Sequence, residues 1–400
     1  MKKLFLSMAF VLVAGGAFAQ MDAVKNATKA ANKGDFATAT SLIEQALNNP
    51  ETANLADTWF AAGQVQQKIS AKQLENQVKR QNFDEAAMQA AALQMVKYFL
   101  KADELPDAKG KMNAFTSKMA SAIKADKGNL INGGIAMFNS QEEGSDAKAL
   151  DFFGAYVDLA SAPMFAKENL AVADTLMPTI AYYASLAGLR AENFPAVEKY
   201  APMAQADKEN GQNATEFLIE ALKKQNKTDQ MLSVLKDAIN KFPTNQAFFA
   251  NMIDYYSSNE KYDEAQAFAD EQIAKDPNNF FYYYVKGYLY SLTKNDDKAI
   301  EQYEKAIAKN GEYAQAYSEL GRAYVLKAQD FSETASSNPN DPKFAEDAKT
   351  LRGFYEKAQP YYEKARQLAP DNTSLWKQGL SSVYYNLQLT DKYEEVMQAY

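Results

Sequence analysis

The sequence predicts an all-α protein built as an array of antiparallel helix pairs, an α-solenoid, and three observations carry that prediction. Pro243, Pro277 and Gly311 stand 34 residues apart, each between two stretches of helical periodicity. Small residues and aromatics recur in one order: Gly287, Tyr290, Ala299, Tyr303 and Ala306; then Tyr317, Leu320, Gly321 and Tyr324; then, after an interruption, Tyr355, Ala358, Tyr362, Ala365 and Pro370. Finally, the 400 residues include neither cysteine nor histidine, so no disulfide staples the chain and packing must hold it together.

The first element in chain order is an address. Lys2 and Lys3 form a positive start, Leu4 to Val13 is an apolar run, and Ala17-Phe18-Ala19 places small residues where a signal peptidase needs them, with Gln20 following. Residues 1–19 are therefore expected to be a signal peptide cleaved after Ala19. The absence of cysteine removes the lipid attachment point of a lipoprotein, so the expected location is periplasmic or secreted. No later stretch is long and apolar enough to span a bilayer, and no stable membrane insertion is expected after cleavage.

The repeat has a direct physical reading. Small residues (Gly287, Ala299 and Ala306 in one unit) let two antiparallel helices approach closely. Large ones (Tyr283, Tyr290, Tyr303) fill the space between neighbouring pairs. Proline or glycine at the end of each unit stops the second helix. One pair cannot bury its apolar face alone, so units must stack.

These residues resemble the tetratricopeptide repeat family. AQAYSELGRAY, from Ala314 to Tyr324, is similar to the first helix of that family's 34-residue unit, and YEKAQPYYEKARQLAP, from Tyr355 to Pro370, to its second. The resemblance implies a right-handed superhelical array. It also implies that the first helix of each pair lines a concave surface, through positions 2, 5, 9 and 12 of the unit. Those positions include Asp254, then Phe281, Tyr284 and Tyr288, then Gln315 and Arg322, and finally Lys377. The chaperone-binding branch of the family holds a carboxylate with Lys and Asn at positions 5 and 9; here those positions read Ala-Asp, Tyr-Tyr, Ser-Arg and Lys-Ser, so that clamp is absent.

The register is clear over 211–400 and drifts over 20–210. In the earlier part Gly34-Asp35-Phe36, then Trp59 and Gly63, then Gly134, Ala149 and Phe153, then Phe194, Val197 and Ala201, and Met231, Leu235 and Ala238 suggest further pairs, roughly eight or nine in all. Extra residues fall near Ser70–Asn82 and Ser140–Asp146, and Lys101–Lys111 reads as a turn. A polar insertion at about 329–349, with Pro339 and Pro342, separates the two helices of one unit and predicts lengthened helices with a solvated loop.

Composition narrows function further. Without histidine or cysteine there is no Ser-His-Asp or Cys-His nucleophile, no imidazole or thiolate metal site and no cysteine-held cluster. No phosphate-binding or calcium loop is present, and no catalytic residue, cofactor or metal is expected. The formal net charge is −8, and loss of Lys2 and Lys3 makes it −10, which disfavours nucleic acid as a partner. The expectation is a non-enzymatic exported scaffold for protein–protein interaction, binding a protein or peptide on its concave face. A glycan-binding helical-repeat protein of the cell envelope is the alternative, since 24 tyrosines would permit it.

Overall fold

A computed structural model describes residues 21–140 and 142–398, all helices and connections, with no strand among the described residues. The expected signal peptide and its cleavage point after Ala19 lie outside the described residues. The chain divides into two compact units, Met1–Val234 and Leu235–Tyr400. Among the described residues no helix is long and apolar enough to cross a membrane.

The first unit comprises α1 (residues 21–32), α2 (Phe36–Leu47), α3 (Ala56–Val78), α4 (Glu85–Asp103), α5 (Thr116–Asp126), α6 (Gly128–Phe138), α7 (Ser145–Asp158), α8 (Leu170–Ala173), α9 (Met177–Arg190), α10 (Phe194–Ala204), α11 (Gly211–Lys224) and the start of α12 (Thr228–Lys241). Here α3 lies against α4, α6 against α7 and α9 against α10. One core runs from Phe60 through Phe99, Phe153 and Tyr156 to Ala184 and Ala214, and a smaller one joins Val24, Ile43 and Val65. The second unit holds the rest of α12, then α13 (Gln246–Ser258), α14 (Tyr262–Lys275), α15 (Phe280–Leu292), α16 (Asp296–Lys309), α17 (Ala314–Ser332), α18 (Phe344–Leu368), α19 (Lys377–Asn386) and α20 (Thr390–Gln398). From α13 onward each helix lies against the next in sequence. With α5 and α8 set aside, the remaining helices alternate as consecutive pairs in the way the repeat pattern predicts.

The small-residue seams are real contacts. A Cβ on Gly287 would come within 2.6 Å of the Tyr303 ring, and one on Gly321 within 2.8 Å of the Tyr362 ring. In the first unit Gly63 faces Phe99 and Gly134 faces Phe153 in the same way. In each case an aromatic ring of the second helix occupies the space a side chain on the glycine of the first would fill, which is how the two backbones come close. Pro243, Pro277 and Gly311 all sit in the turns between pairs. Asparagines open the next helices: the Asn245 side chain accepts from the Ala247 N–H at 2.9 Å, and Asn279 from the Phe281 N–H at 3.1 Å.

The turns inside each pair repeat more strictly than the side chains do. Glu192, Asn226, Glu260 and Lys294, spaced 34 apart, all have left-handed backbone, with φ of 53°, 56°, 57° and 55°. The N–H of the following residue reaches back five positions every time: Asn193 to Gly188, Lys227 to Leu222, Lys261 to Tyr256 and Asn295 to Tyr290, at 2.8–2.9 Å. This is a Schellman closure, which satisfies carbonyls left open at the helix end. A left-handed non-glycine residue is strained by roughly 1–2 kcal/mol, while glycine adds roughly 0.5–1 kcal/mol of unfolded-state entropy. Lys294→Gly is therefore expected to raise stability by about 0.5–1 kcal/mol in urea unfolding.

The insertion at 329–349 divides about evenly between helix and connection. Residues 329–332 continue α17 and residues 344–349 begin α18, leaving 333–343 as the connection. These two helices have 19 and 25 residues, against 13 and 14 in α15 and α16. The extra residues near Ser70 lengthen α3, which has 23 residues, in the same manner.

Candidate functional site on the first helices of the second unit

The run Phe280–Tyr284 puts five aromatics in succession on a helix that has neighbours on most of its circumference. Phe281 and Tyr282 are buried against Phe249, with ring centroids 6.1 and 4.7 Å away. Phe280 meets Tyr313 at 4.8 Å, and the Tyr283 hydroxyl donates to the Pro277 carbonyl at 3.2 Å. Tyr284 remains half-buried, edge-on to Tyr313 at 5.1 Å and against Tyr303 at 6.0 Å. Five consecutive positions on a 3.6-residue helix cannot share one face, so the run divides between core and surface.

Between α13 and α15 these residues enclose a cleft of about 190 Å³ lined by Ala250, Ile253, Asp254, Phe281, Tyr284, Val285 and Tyr288. Four of the seven residues expected on the binding face thus come together. Phe281, 8% exposed, forms floor with Ile253 and Val285. Tyr288, 38% exposed, and Tyr284 form the rim. Asp254 is exposed, and its carboxylate has neither hydrogen bond nor ion pair among the described residues.

The other three expected residues do not line this cleft. Arg322, half-exposed on α17, donates from Nε to Glu319 Oε2 at 2.7 Å. Burial works against its charge, but Glu319 outweighs burial and raises its pKa. Burial pushes the Tyr284 phenol up, with the nearby Tyr313 and Glu319 adding to the effect, so it is neutral over the whole physiological range. Gln315 lies half-buried near the start of α17, and Lys377 opens α19, where it has an interaction partner of its own.

A buried polar cluster in the first unit has no counterpart in the sequence reading. The segment 159–176, which contains two 3₁₀ turns and α8, borders a cavity of about 380 Å³ lined by Ile123, Lys127, Leu159, Phe165 and Asp174 among others. Asp174 accepts from Lys127 Nζ at 2.6 Å and from the Tyr156 hydroxyl at 2.7 Å. Burial alone would raise the Asp174 pKa, but these two bonds and the Leu176 N–H hold it below the ordinary value. Tyr156 is wholly buried, and burial followed by Asp174 pushes its phenol up. Upstream, Asp103 fastens the same segment by accepting the Met164 N–H at 2.6 Å. Among the described residues no group of three or more carboxylates is placed to hold a metal ion.

A 34-residue period, glycine seams under aromatic rings and a turn closure repeated four times define a helical-repeat fold of stacked helix pairs. No family model matches the chain, and no curated protein matches it. Solved structures similar to it include a tetratricopeptide-repeat protein from Bacteroides fragilis, with 18% identity and a TM-score of 0.37 over 65% of this chain and 98% of that one. Another is the C-terminal part of a tetratricopeptide repeat-containing protein from Cytophaga hutchinsonii, with 15% identity and a TM-score of 0.39 over 67% and 92%. Yeast Tom70 has 14% identity and a TM-score of 0.38 over 95% and 85%.

Proposed function

We propose that the protein is an exported scaffold that binds a partner polypeptide on the face formed by the first helices of its second unit. The observation that carries this reading is the cleft between α13 and α15. Asp254, Phe281, Tyr284 and Tyr288, which hold groove-facing positions of the repeat, meet there. Tyrosine is enriched among residues that dominate binding energy, because it brings a large rigid surface and a polar tip. Export is supported by the pattern of residues 1–19, and the acidic charge supports a protein rather than a nucleic acid as partner.

Tyr288 is the clean probe. Its ring is exposed, so Tyr288→Ala is expected to change stability by less than about 0.5 kcal/mol. It is also expected to weaken partner binding by about tenfold or more. Tyr284→Ala would in addition remove contacts to Tyr303 and Tyr313, so a loss of binding in that variant needs a stability control. Mature chain beginning at Gln20 would be crosslinked in its native envelope, and the captured polypeptides quantified by mass spectrometry for wild type and Tyr288→Ala. Equal recovery of every polypeptide from both would refute the reading.

A further inference from the structure

We propose that the cleft between α13 and α15 receives an arginine or lysine side chain of the partner polypeptide, with Asp254 as its counter-charge. The inference rests on the binding-face reading above and names the occupant of one position on that face. Size is the first argument. Sites for drug-sized ligands begin at about 300 Å³, and this cleft, at about 190 Å³, has room for one long side chain.

Chemistry inside the cleft is graded. The side chains of Ala250, Ile253, Phe281 and Val285 offer no donor or acceptor, which suits the methylene stem of a basic residue. At the rim stand the Asp254 carboxylate and the Tyr288 ring. An aromatic face beside a carboxylate attracts a cation twice, through the ring quadrupole and through its charge. Arginine would add a planar fork matched to both carboxylate oxygens.

Charge complementarity decides between occupants. Asp254 has no cationic partner among the described residues, and the two cations of α17, Arg322 and Lys327, are engaged by Glu319 and Asp297. A leucine or phenylalanine would fill the floor yet shed water from Asp254 without replacing it, an unfavourable exchange. An acidic side chain would meet a like charge. Of the apolar, acidic and basic classes, the basic one alone satisfies floor and rim together.

The test is selection of a displayed library of random twelve-residue peptides on the full mature chain, followed by Kd measurement on the synthesised winners. The expected winners share one arginine or lysine, and replacing it by citrulline or norleucine weakens binding by at least about tenfold. Asp254→Asn weakens the parent peptide to the same degree and abolishes the preference, while Asp263→Asn on α14 leaves the Kd unchanged. Affinity also falls as salt is raised. If the winners share an apolar residue and bind Asp254→Asn as tightly as wild type, while Tyr288→Ala still weakens them, the basic occupant is overturned and the binding face survives. If neither variant alters the Kd, or no peptide is enriched, both readings fall.

Discussion

Replacing Tyr362 with alanine is expected to destabilise the second unit by about 3–5 kcal/mol, the range for removing a large aromatic from a core. Tyr362 is 5% exposed and belongs to the core formed with Tyr355, Trp376, Leu380 and Tyr384. Its ring comes from α18 and is flanked by two glycines, Gly321 of α17 and Gly379 of α19; a Cβ on the latter would overlap the ring outright. One side chain thus closes two helix contacts, and its loss opens both. The complementary change, Gly379→Ala, forces the ring to move and is expected to be destabilising by about 1–3 kcal/mol. The two substitutions share one space, so the double variant should lose less than the sum of the singles. Trp59 and Trp376 are the only two tryptophans, one in each unit, so a Trp59→Phe background leaves Trp376 to report this unit alone in urea unfolding. Additive losses would mean that the ring does not occupy the seam.

The glycine seams were legible because they depend on side-chain size, which sequence records directly. The turn closures were not. Glu192, Asn226, Glu260 and Lys294 share a left-handed backbone but have no one side-chain type common to all four, and the closing bond runs between main-chain groups. Their spacing shows that the strict period begins at Glu192, before the Gly211 from which side chains make it clear. The segment 159–176 was invisible for a related reason: short 3₁₀ turns carry no periodicity, and its anchors lie far away in sequence.

The candidate site was legible to the extent that repeat position fixes direction. Positions of the first helices brought Asp254, Tyr284 and Tyr288 together with Phe281 beneath them. What position could not supply was neighbours. Whether Arg322 presents a bare charge depends on Glu319, one turn away on its own helix, and both belong to the solvated or half-solvated surface that composition alone does not resolve. The burial of Phe281 likewise depends on Phe249, which comes from the preceding pair.

Removing the Asp174 carboxylate is expected to destabilise the first unit by about 2–3 kcal/mol at neutral pH. Asp174 is 10% exposed at its side chain and Lys127 35%. Breaking a fully buried ion pair costs about 3–5 kcal/mol, and the partial solvation of Lys127 lowers that figure. Asp174→Ala leaves the wholly buried Tyr156 hydroxyl without its 2.7 Å acceptor and the lysine without a counter-charge. The pH dependence follows from the direction of the shift. The folded carboxyl titrates below its unfolded value of about 3.9, so the stability it adds is complete above that pH and disappears as pH falls through the folded pKa. In a Trp376→Phe background, where Trp59 reports the first unit, the gap between wild type and Asp174→Ala should be constant from about pH 5 to 8 and should narrow only below about pH 4. A gap that instead narrows between pH 6 and 8 would assign the effect to some other group. A variant as stable as wild type at pH 7 would mean that segment 159–176 is held by its apolar contacts and by Asp103 alone, with the Lys127–Asp174–Tyr156 cluster contributing no net stability.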